Sequence, residues 1–70
     1  MTNERLNNTM KLHRVEKGLT QARLAEITGV TRKTINSVEN GVFIPSTVLA
    51  LKVARALKTP VESLFLLPED

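Results

Sequence analysis

The stretch Thr20–Asn40, TQARLAEITGVTRKTINSVEN, decides the fold. It holds two short helical patterns on either side of Gly29, and each pattern opens on a threonine. Thr20 and Thr31 are good N-cap residues, because a hydroxyl oxygen accepts a hydrogen bond from the unpaired backbone N–H groups of a first turn. We therefore predict two helices separated by a tight turn, over about 21–28 and 32–39.

Two helices joined so closely place definite demands on the residues where they cross. Gly29 must turn the chain sharply, with a positive φ that other residues adopt at a cost. Ala25 must be small because the second helix crosses the first there, and Val30 and Ile35 must anchor that second helix. All four residue types stand at the required positions. The spacing is that of a helix-turn-helix.

The outer face of the second helix is polar, and every side chain on it can donate a hydrogen bond. Taken alone, two basic residues in a row are more typical of a solvated helix face. Within this frame, however, Arg and Lys suit guanine O6 and N7, and Asn pairs well with adenine. The N-terminus of the preceding helix, at Thr20 and Gln21, suits a phosphate. The reading face consists of Arg32, Lys33, Thr34, Asn36 and Ser37.

Glycine and proline divide the rest of the chain into three more helix-length pieces. The clearest start is Thr59-Pro60-Val61-Glu62, a capping box with proline at the first helical position. No window alternates strictly between apolar and polar residues, so we expect no strands. We predict an all-α, five-helix domain spanning 1–70, with helices over about 3–17, 21–28, 32–39, 47–58 and 60–66.

The apolar stripes of the outer helices are less regular than the central pattern. In the first helix we expect Leu6, Met10 and Val15 to face the core, with Leu12 nearby. In the fourth helix we expect a broad apolar face that includes Leu51, Ala54 and Leu57, with Val48 and Val53 beside them. Phe43, in the loop before that helix, is expected to pack on it as core.

The small size of the chain favours self-association. Seventy residues bury only about 60% of the surface of the unfolded chain. There is no cysteine to add disulfides or thiolate-bound zinc. Dimerisation is the remaining common way to add buried area. We expect a homodimer through the C-terminal helix and tail, at Leu64, Leu66 and Leu67, although these and the apolar loop Val42–Ile44 could also bind another protein.

Composition narrows the function classes further. The net charge is +3, from ten basic and seven acidic residues, which attracts polyanions without separating DNA from RNA or anionic lipid. No apolar run approaches the roughly 20 residues of a membrane span, and the start lacks a signal-peptide pattern, so we expect a cytoplasmic protein. His13 is the only histidine, and no catalytic triad or phosphate-binding glycine loop is present. We expect neither an enzyme nor a metal or other cofactor.

A series of short motifs keeps one register from Gly18 to Phe65. They are Gly18-Leu19-Thr20-Gln21, Leu24-Ala25, Gly29-Val30-Thr31, Thr34-Ile35, Glu39-Asn40-Gly41, Pro45-Ser46, Ala50-Leu51-Lys52-Val53-Ala54 and Glu62-Ser63-Leu64-Phe65. Together they resemble the phage repressor and Cro-like helix-turn-helix family, also called XRE. The resemblance implies a lambda-repressor-like fold and sequence-specific binding of double-stranded DNA by a prokaryotic or phage transcriptional regulator.

The resemblance also implies roles for single residues. Gln21 matches a position that grips phosphate, and Asn40 one that approaches phosphate. Arg14 and Glu39 match a pair that forms a buried salt bridge between the first and third helices. The loop Val42–Ile44 departs from the basic and polar residues usual in the family. Positions used for bases and nearby backbone match Thr31, Arg32, Lys33, Thr34, Asn36 and Ser37.

Several functions share this fold. We expect a repressor that binds a roughly palindromic operator as a homodimer, with its two recognition helices about 34 Å apart. Alternatives within DNA binding are the antitoxin of a toxin–antitoxin pair and a restriction-modification controller protein. A protein-interaction adaptor that keeps the fold but does not bind DNA is the alternative from another class.

Overall fold

The computed structural model describes residues 5–69 and contains five helices and one pair of very short strands. The two central helices coincide with the ranges expected from their threonine caps and Gly29. The elements are β1 (Asn7–Asn8), α1 (Met10–Glu16), α2 (Gln21–Thr28), α3 (Arg32–Glu39), α4 (Thr47–Leu57), α5 (Val61–Leu64) and β2 (Phe65–Leu66).

Side-chain hydroxyls cap the first turns of the three longest helices, α2, α3 and α4. The Oγ1 atom of Thr20 accepts from the backbone N–H of Arg23 at 3.0 Å, and that of Thr31 accepts from Thr34 at 3.2 Å. Ser46 caps α4 in the same way. Each cap satisfies one of the N–H groups that a first turn leaves unpaired. The starts of α2, α3 and α4 are therefore fixed by local sequence.

Gly29 makes the turn between α2 and α3. Its φ is 76°, in the left-handed region, and the N–H of Val30 donates to the carbonyl of Ala25 at 3.0 Å. This bond closes the end of α2 in the manner of a Schellman motif. The turn places α3 across α2 at Ala25, whose side chain is buried and small enough to allow the crossing.

The core draws on all five helices. Ala25 and Val38 are nearly inaccessible and lie beside the largest core side chains. These fully buried side chains are Met10 from α1, Leu24 from α2, Ile35 from α3, Val53 and Leu57 from α4, and Leu64 from α5. Leu64 therefore belongs to the core, and its predicted place in a subunit interface is wrong.

The first and last helices are shorter than predicted because their outer ends form a strand pair. Asn7 pairs with Leu66 and Asn8 with Phe65, in antiparallel register. The side chain of Asn8 accepts from the N–H of Met10 at 3.1 Å and donates to the carbonyl of Val38 at 2.9 Å. Such local side-chain bonds compete with a helical backbone. Residues 1–4, on which part of the first predicted helix falls, lie outside the described range.

The capping box predicted at the start of α5 is not formed. The N-cap residue is Pro60, which provides no side-chain cap. The hydroxyl of Thr59 donates instead to the carbonyl of Leu57 at 2.9 Å, so it closes the end of α4.

Two predicted apolar stripes are also wrong in part. On α1 the residue one turn after Met10 that turns inward is Arg14, while Leu12 and Val15 are exposed. On α4 the buried residues repeat every four positions, so Leu51 is exposed, as is Val48. The buried stripe of α4 is Leu49, Val53 and Leu57.

Phe43 is not a core residue either. It is 48% exposed and lies in the loop between α3 and α4. The exposed apolar surface is therefore larger than the sequence led us to expect.

Candidate nucleic-acid interface

A buried ion pair joins α1 to the end of α3. The Nε atom of Arg14 lies 2.7 Å from Oε2 of Glu39, and Nη2 donates to Oε1 at 3.2 Å. The remaining guanidinium nitrogen, Nη1, donates to the carbonyl of Leu19 at 2.8 Å. The Glu39 side chain is only 2% exposed, so this carboxylate is held in one orientation. The structure thus brings together the two residues whose pairing the resemblance implied.

The packing of α3 against the core turns its polar face outward. Ile35 and Val38 are buried, whereas Arg32, Lys33 and Asn36 are exposed and line one shallow depression. Residues 32–37 include no acidic residue. The side chains of Arg32, Lys33 and Asn36 form a ridge of hydrogen-bond donors on an exposed helix. The major groove of DNA is wide enough to admit a helix and presents acceptors to such donors.

The other side of α3 borders an apolar groove. Thr34 and Ser37 are partly buried there, and Lys33 lies at its edge. The opposite wall is formed by Val42 and Phe43 from the following loop. The five residues of α3 that the sequence predicts to read DNA therefore lie on two sides of the helix. Arg32, Lys33 and Asn36 form the outward ridge, and Thr34 and Ser37 form a flank that faces the loop.

Two of the residues predicted to contact DNA, Thr20 and Thr31, also cap helices. The hydroxyl of Thr20 caps α2, and that of Thr31 caps α3 and lies 3.0 Å from the hydroxyl of Thr34. Each cap uses the oxygen as an acceptor. The O–H of Thr20 is thus left as a donor at the N-terminus of α2, where backbone N–H groups also point outward.

Gln21 lies where the resemblance implied, at the first position of α2, but its side chain is engaged within the protein. Its Nε2 atom donates to Oε1 of Glu39 at 3.0 Å and to Oδ1 of Asn36 at 3.2 Å. The sequence offers no signal for these bonds, because they join residues that only the crossing of α2 and α3 brings together. They link the buried ion pair to the exposed ridge.

Asn40 is exposed at the end of α3 and lies beside the N-terminal segment. It shares a depression with Arg5 and Asn7, because the β1–β2 pairing brings that segment next to the loop after α3. Arg5 is exposed and basic, which makes it a candidate backbone contact that the sequence analysis missed. Nothing near Arg5 in the sequence reveals this neighbour.

Of the three residues predicted to form the subunit contact, only the two in the C-terminal tail lie at the surface. Leu66 is 42% and Leu67 is 83% exposed, in contrast to the buried Leu64. Further exposed apolar side chains lie in the loop before α4 and on α4 itself. They are Val42, Phe43, Ile44, Val48 and Leu51.

Among residues 5–69 no group of three or more histidine or acidic side chains could hold a metal ion. No helix within that range has the length and apolar character to cross a membrane.

Comparison with known proteins places this geometry in a family. The family model described as helix-turn-helix matches residues 10–64, which include α1 through α5. The chain belongs to the helix-turn-helix family. This agrees with the phage repressor and Cro-like resemblance and confirms the predicted all-α, five-helix fold.

Relatives in this helix-turn-helix family span nearly the whole chain. One, an uncharacterized HTH-type transcriptional regulator from Methanothermobacter thermautotrophicus, is 47% identical over 93% of this chain and 96% of its own length. The HTH-type regulator YgzD from Bacillus subtilis is 38% identical over 93% of this chain and 98% of its own length.

Solved helix-turn-helix structures superpose well. The restriction-modification controller protein C.AhdI from Aeromonas hydrophila has a TM-score of 0.73 at 35% identity, covering 77% of this chain and 82% of its own. SinR, a master regulator for biofilm formation solved in complex with DNA, has a TM-score of 0.72 at 33% identity, covering 77% and 87%.

Proposed function

We propose that the chain, a DNA-binding transcriptional regulator by family, acts as a homodimeric repressor on a short, roughly palindromic site. The observation that carries this proposal is the outward ridge of Arg32, Lys33 and Asn36 on α3, which a buried frame holds in place. Repression by occlusion of a promoter needs no other activity. We place the protein in the cytoplasm, with the DNA of a prokaryotic cell.

The ridge supplies base contacts in this proposal. Arg32 and Lys33 are long enough to reach guanine O6 and N7 from a helix lying in the major groove, and Asn36 follows one turn later. Thr31, Thr34 and Ser37 flank the ridge and would contact bases or the adjacent backbone.

Backbone contacts would come from both sides of α3. On one side, the N-terminus of α2 presents unpaired backbone N–H groups next to the hydroxyl of Thr20, which suits a phosphate. On the other side, Asn40 and Arg5 share one depression. Contacts of this kind set the register of a protein on the duplex but carry no sequence information themselves.

The palindromic site follows from dimerisation. Two copies related by a two-fold axis place their recognition helices in major grooves about 34 Å apart, one helical turn of DNA. Apolar residues left exposed on a chain of this size support such an association. The tail residues Leu66 and Leu67 are our candidates for the contact.

Selection of bound duplexes from a random pool tests the proposal. We expect an enriched pair of inverted half-sites whose centres lie about 10 base pairs apart. Enrichment of no sequence at all, with binding that falls steeply with salt, would instead indicate a non-specific polyanion binder.

Control of a restriction-modification system is the second candidate. The similarity to C.AhdI favours it, because the two chains match over most of their lengths. Restriction and methylation genes beside the coding sequence would support this candidate. A toxin gene in that place would point to an antitoxin, and an inability to bind any DNA would point to an adaptor.

A further inference from the structure

The loop after α3 is folded back against that helix by its own backbone. Gly41 has a φ of 75°, and its N–H donates to the carbonyl of Val38 at 3.0 Å. The N–H groups of Val42 and Phe43 both donate to the carbonyl of Ser37, at 2.9 and 3.2 Å. Together these bonds close the end of α3 in the manner of a Schellman motif. What this part of the loop presents outward is therefore its side chains.

The helix cap does not account for the apolar side chains of the loop. A hydrophobic residue directly after such a cap usually packs against the last turn of the helix. Val42 occupies that place, but the matching position on α3 is Ser37, and Val42 remains 81% exposed. Phe43 beside it is about half exposed. Adjacent apolar side chains that the fold leaves exposed are typical of a binding surface.

The apolar groove that these two side chains line is continuous with the outward ridge of α3. Its opposite wall is formed by Thr34 and Ser37. Lys33 lines both this groove and the depression that holds Arg32 and Asn36. When the ridge lies in the major groove of DNA, the apolar groove consequently faces the base edges beside it.

The lining of the apolar groove combines hydrogen-bond donors with apolar surface. The ammonium group of Lys33 donates, and Thr34 and Ser37 carry hydroxyls that can also donate. In the major groove, thymine presents an acceptor, O4, next to its C5-methyl group. The other three bases present no methyl group. The groove therefore matches thymine, and the methyl group is the feature that its apolar wall can recognise.

We propose that Val42 and Phe43 determine specificity by packing against the C5-methyl group of a thymine. This inference rests on the proposed function, in which α3 reads bases in the major groove. It gives a role to the loop residues that depart from the basic and polar residues usual in the family. Burial of one methyl group corresponds to about a fourfold change in affinity.

Deoxyuridine provides the test, because it differs from thymidine only in lacking the methyl group. Each thymine in one half-site of the selected duplex is replaced in turn by deoxyuridine, and the affinity of the protein is measured. We expect the wild-type protein to lose about fourfold at one thymine. Phe43→Ala and Val42→Thr should bind the thymine and deoxyuridine duplexes equally at that position. Val42→Thr keeps the shape of the side chain and replaces one methyl group with a hydroxyl, so the fold should be retained.

Val48→Thr is the matched control. Val48 is also an exposed valine, but it lies on α4 and does not line the apolar groove. This variant should keep the fourfold preference for thymine over deoxyuridine. A preference that persists in both loop variants would overturn the inference. Loss of the preference in Val48→Thr as well would likewise overturn it, since the effect would not belong to the groove.

The same experiment separates this inference from the proposed function. A protein that selects a defined half-site, yet binds every deoxyuridine duplex as tightly as the original, overturns the inference alone. A half-site without thymine has the same consequence. A wild-type protein that selects no DNA sequence overturns the proposed function, and the inference with it.

Discussion

Glu39 accepts hydrogen bonds from two different helices while almost completely buried. Arg14 reaches it from α1 and Gln21 from the start of α2, and Glu39 itself is the last residue of α3. A carboxylate removed from water is stable only when such partners compensate for its lost hydration. At the scale of single residues, this carboxylate joins α1, α2 and α3, and Gln21 links it to Asn36 on the face that we propose contacts DNA.

The ion pair leads to a prediction about stability. Arg14→Met leaves the Glu39 carboxylate buried without its main partner, which should lower the free energy of unfolding by about 3–5 kcal/mol. Denaturation in urea, followed by circular dichroism, measures this loss.

The matched control is Arg23→Met, which breaks the Arg23–Glu26 pair on the surface of α2. Both side chains of that pair are more than half exposed, so the change should stay within about 0.5 kcal/mol. Equal losses for the two variants would contradict the role given to the buried pair.

At the scale of elements, the end of α4 carries backbone strain at Lys58. It adopts a φ of 52°, in the left-handed region, and the other residues at positive φ among those described are glycines. Lys58→Gly relieves this strain, so we expect it to raise the free energy of unfolding by about 0.5–1 kcal/mol. Thermal and urea unfolding check the sign.

Lys52→Gly is the control for this change, because it removes a lysine from the middle of the same helix. There glycine costs about 1 kcal/mol in helix propensity. If Lys58→Gly destabilises the protein as much as Lys52→Gly does, the left-handed cap carries no strain worth relieving.

The central helices could be predicted from sequence, and the outer ones only in part. The bounds of α2 and α3 depend on Thr20, Thr31 and Gly29, which act within one or two turns of their own positions. The start of α1 and the end of α5 depend on the pairing of β1 with β2, from opposite ends of the chain. A two-residue strand leaves no alternating pattern from which to predict it.

The candidate site divides in the same way. The exposed ridge of α3 follows from helical spacing around Ile35 and Val38, both of which are buried. The link from Gln21 to Asn36 does not, because it depends on side-chain orientation across a helix crossing. The closeness of Arg5 to Asn40 is also non-local and follows from the strand pair.

At the scale of the whole molecule, exposed apolar surface leads to a prediction about assembly. We expect a dimer at micromolar concentration in sedimentation experiments. Replacing both Leu66 and Leu67 with lysine should yield a folded monomer, since two charges would have to be buried in the contact. Circular dichroism should show unchanged helix content.

Val15→Lys is the control for added charge, because it replaces an exposed apolar residue on α1. It should leave the dimer intact. A monomeric wild-type protein would refute the dimer, and a tail variant that still dimerises would move the contact to another exposed apolar surface.

We propose that the outer face of α3 reads base sequence, and substitution of Arg32 is the sharpest test of that role. The measurement is the affinity of wild type and Arg32→Ala for the selected duplex and for a scrambled duplex, at one salt concentration. We expect Arg32→Ala to lose about 1–3 kcal/mol of binding free energy on the selected duplex and much less on the scrambled one. An equal loss on both duplexes would mean that Arg32 contacts only phosphate and that this face of α3 does not read bases through it.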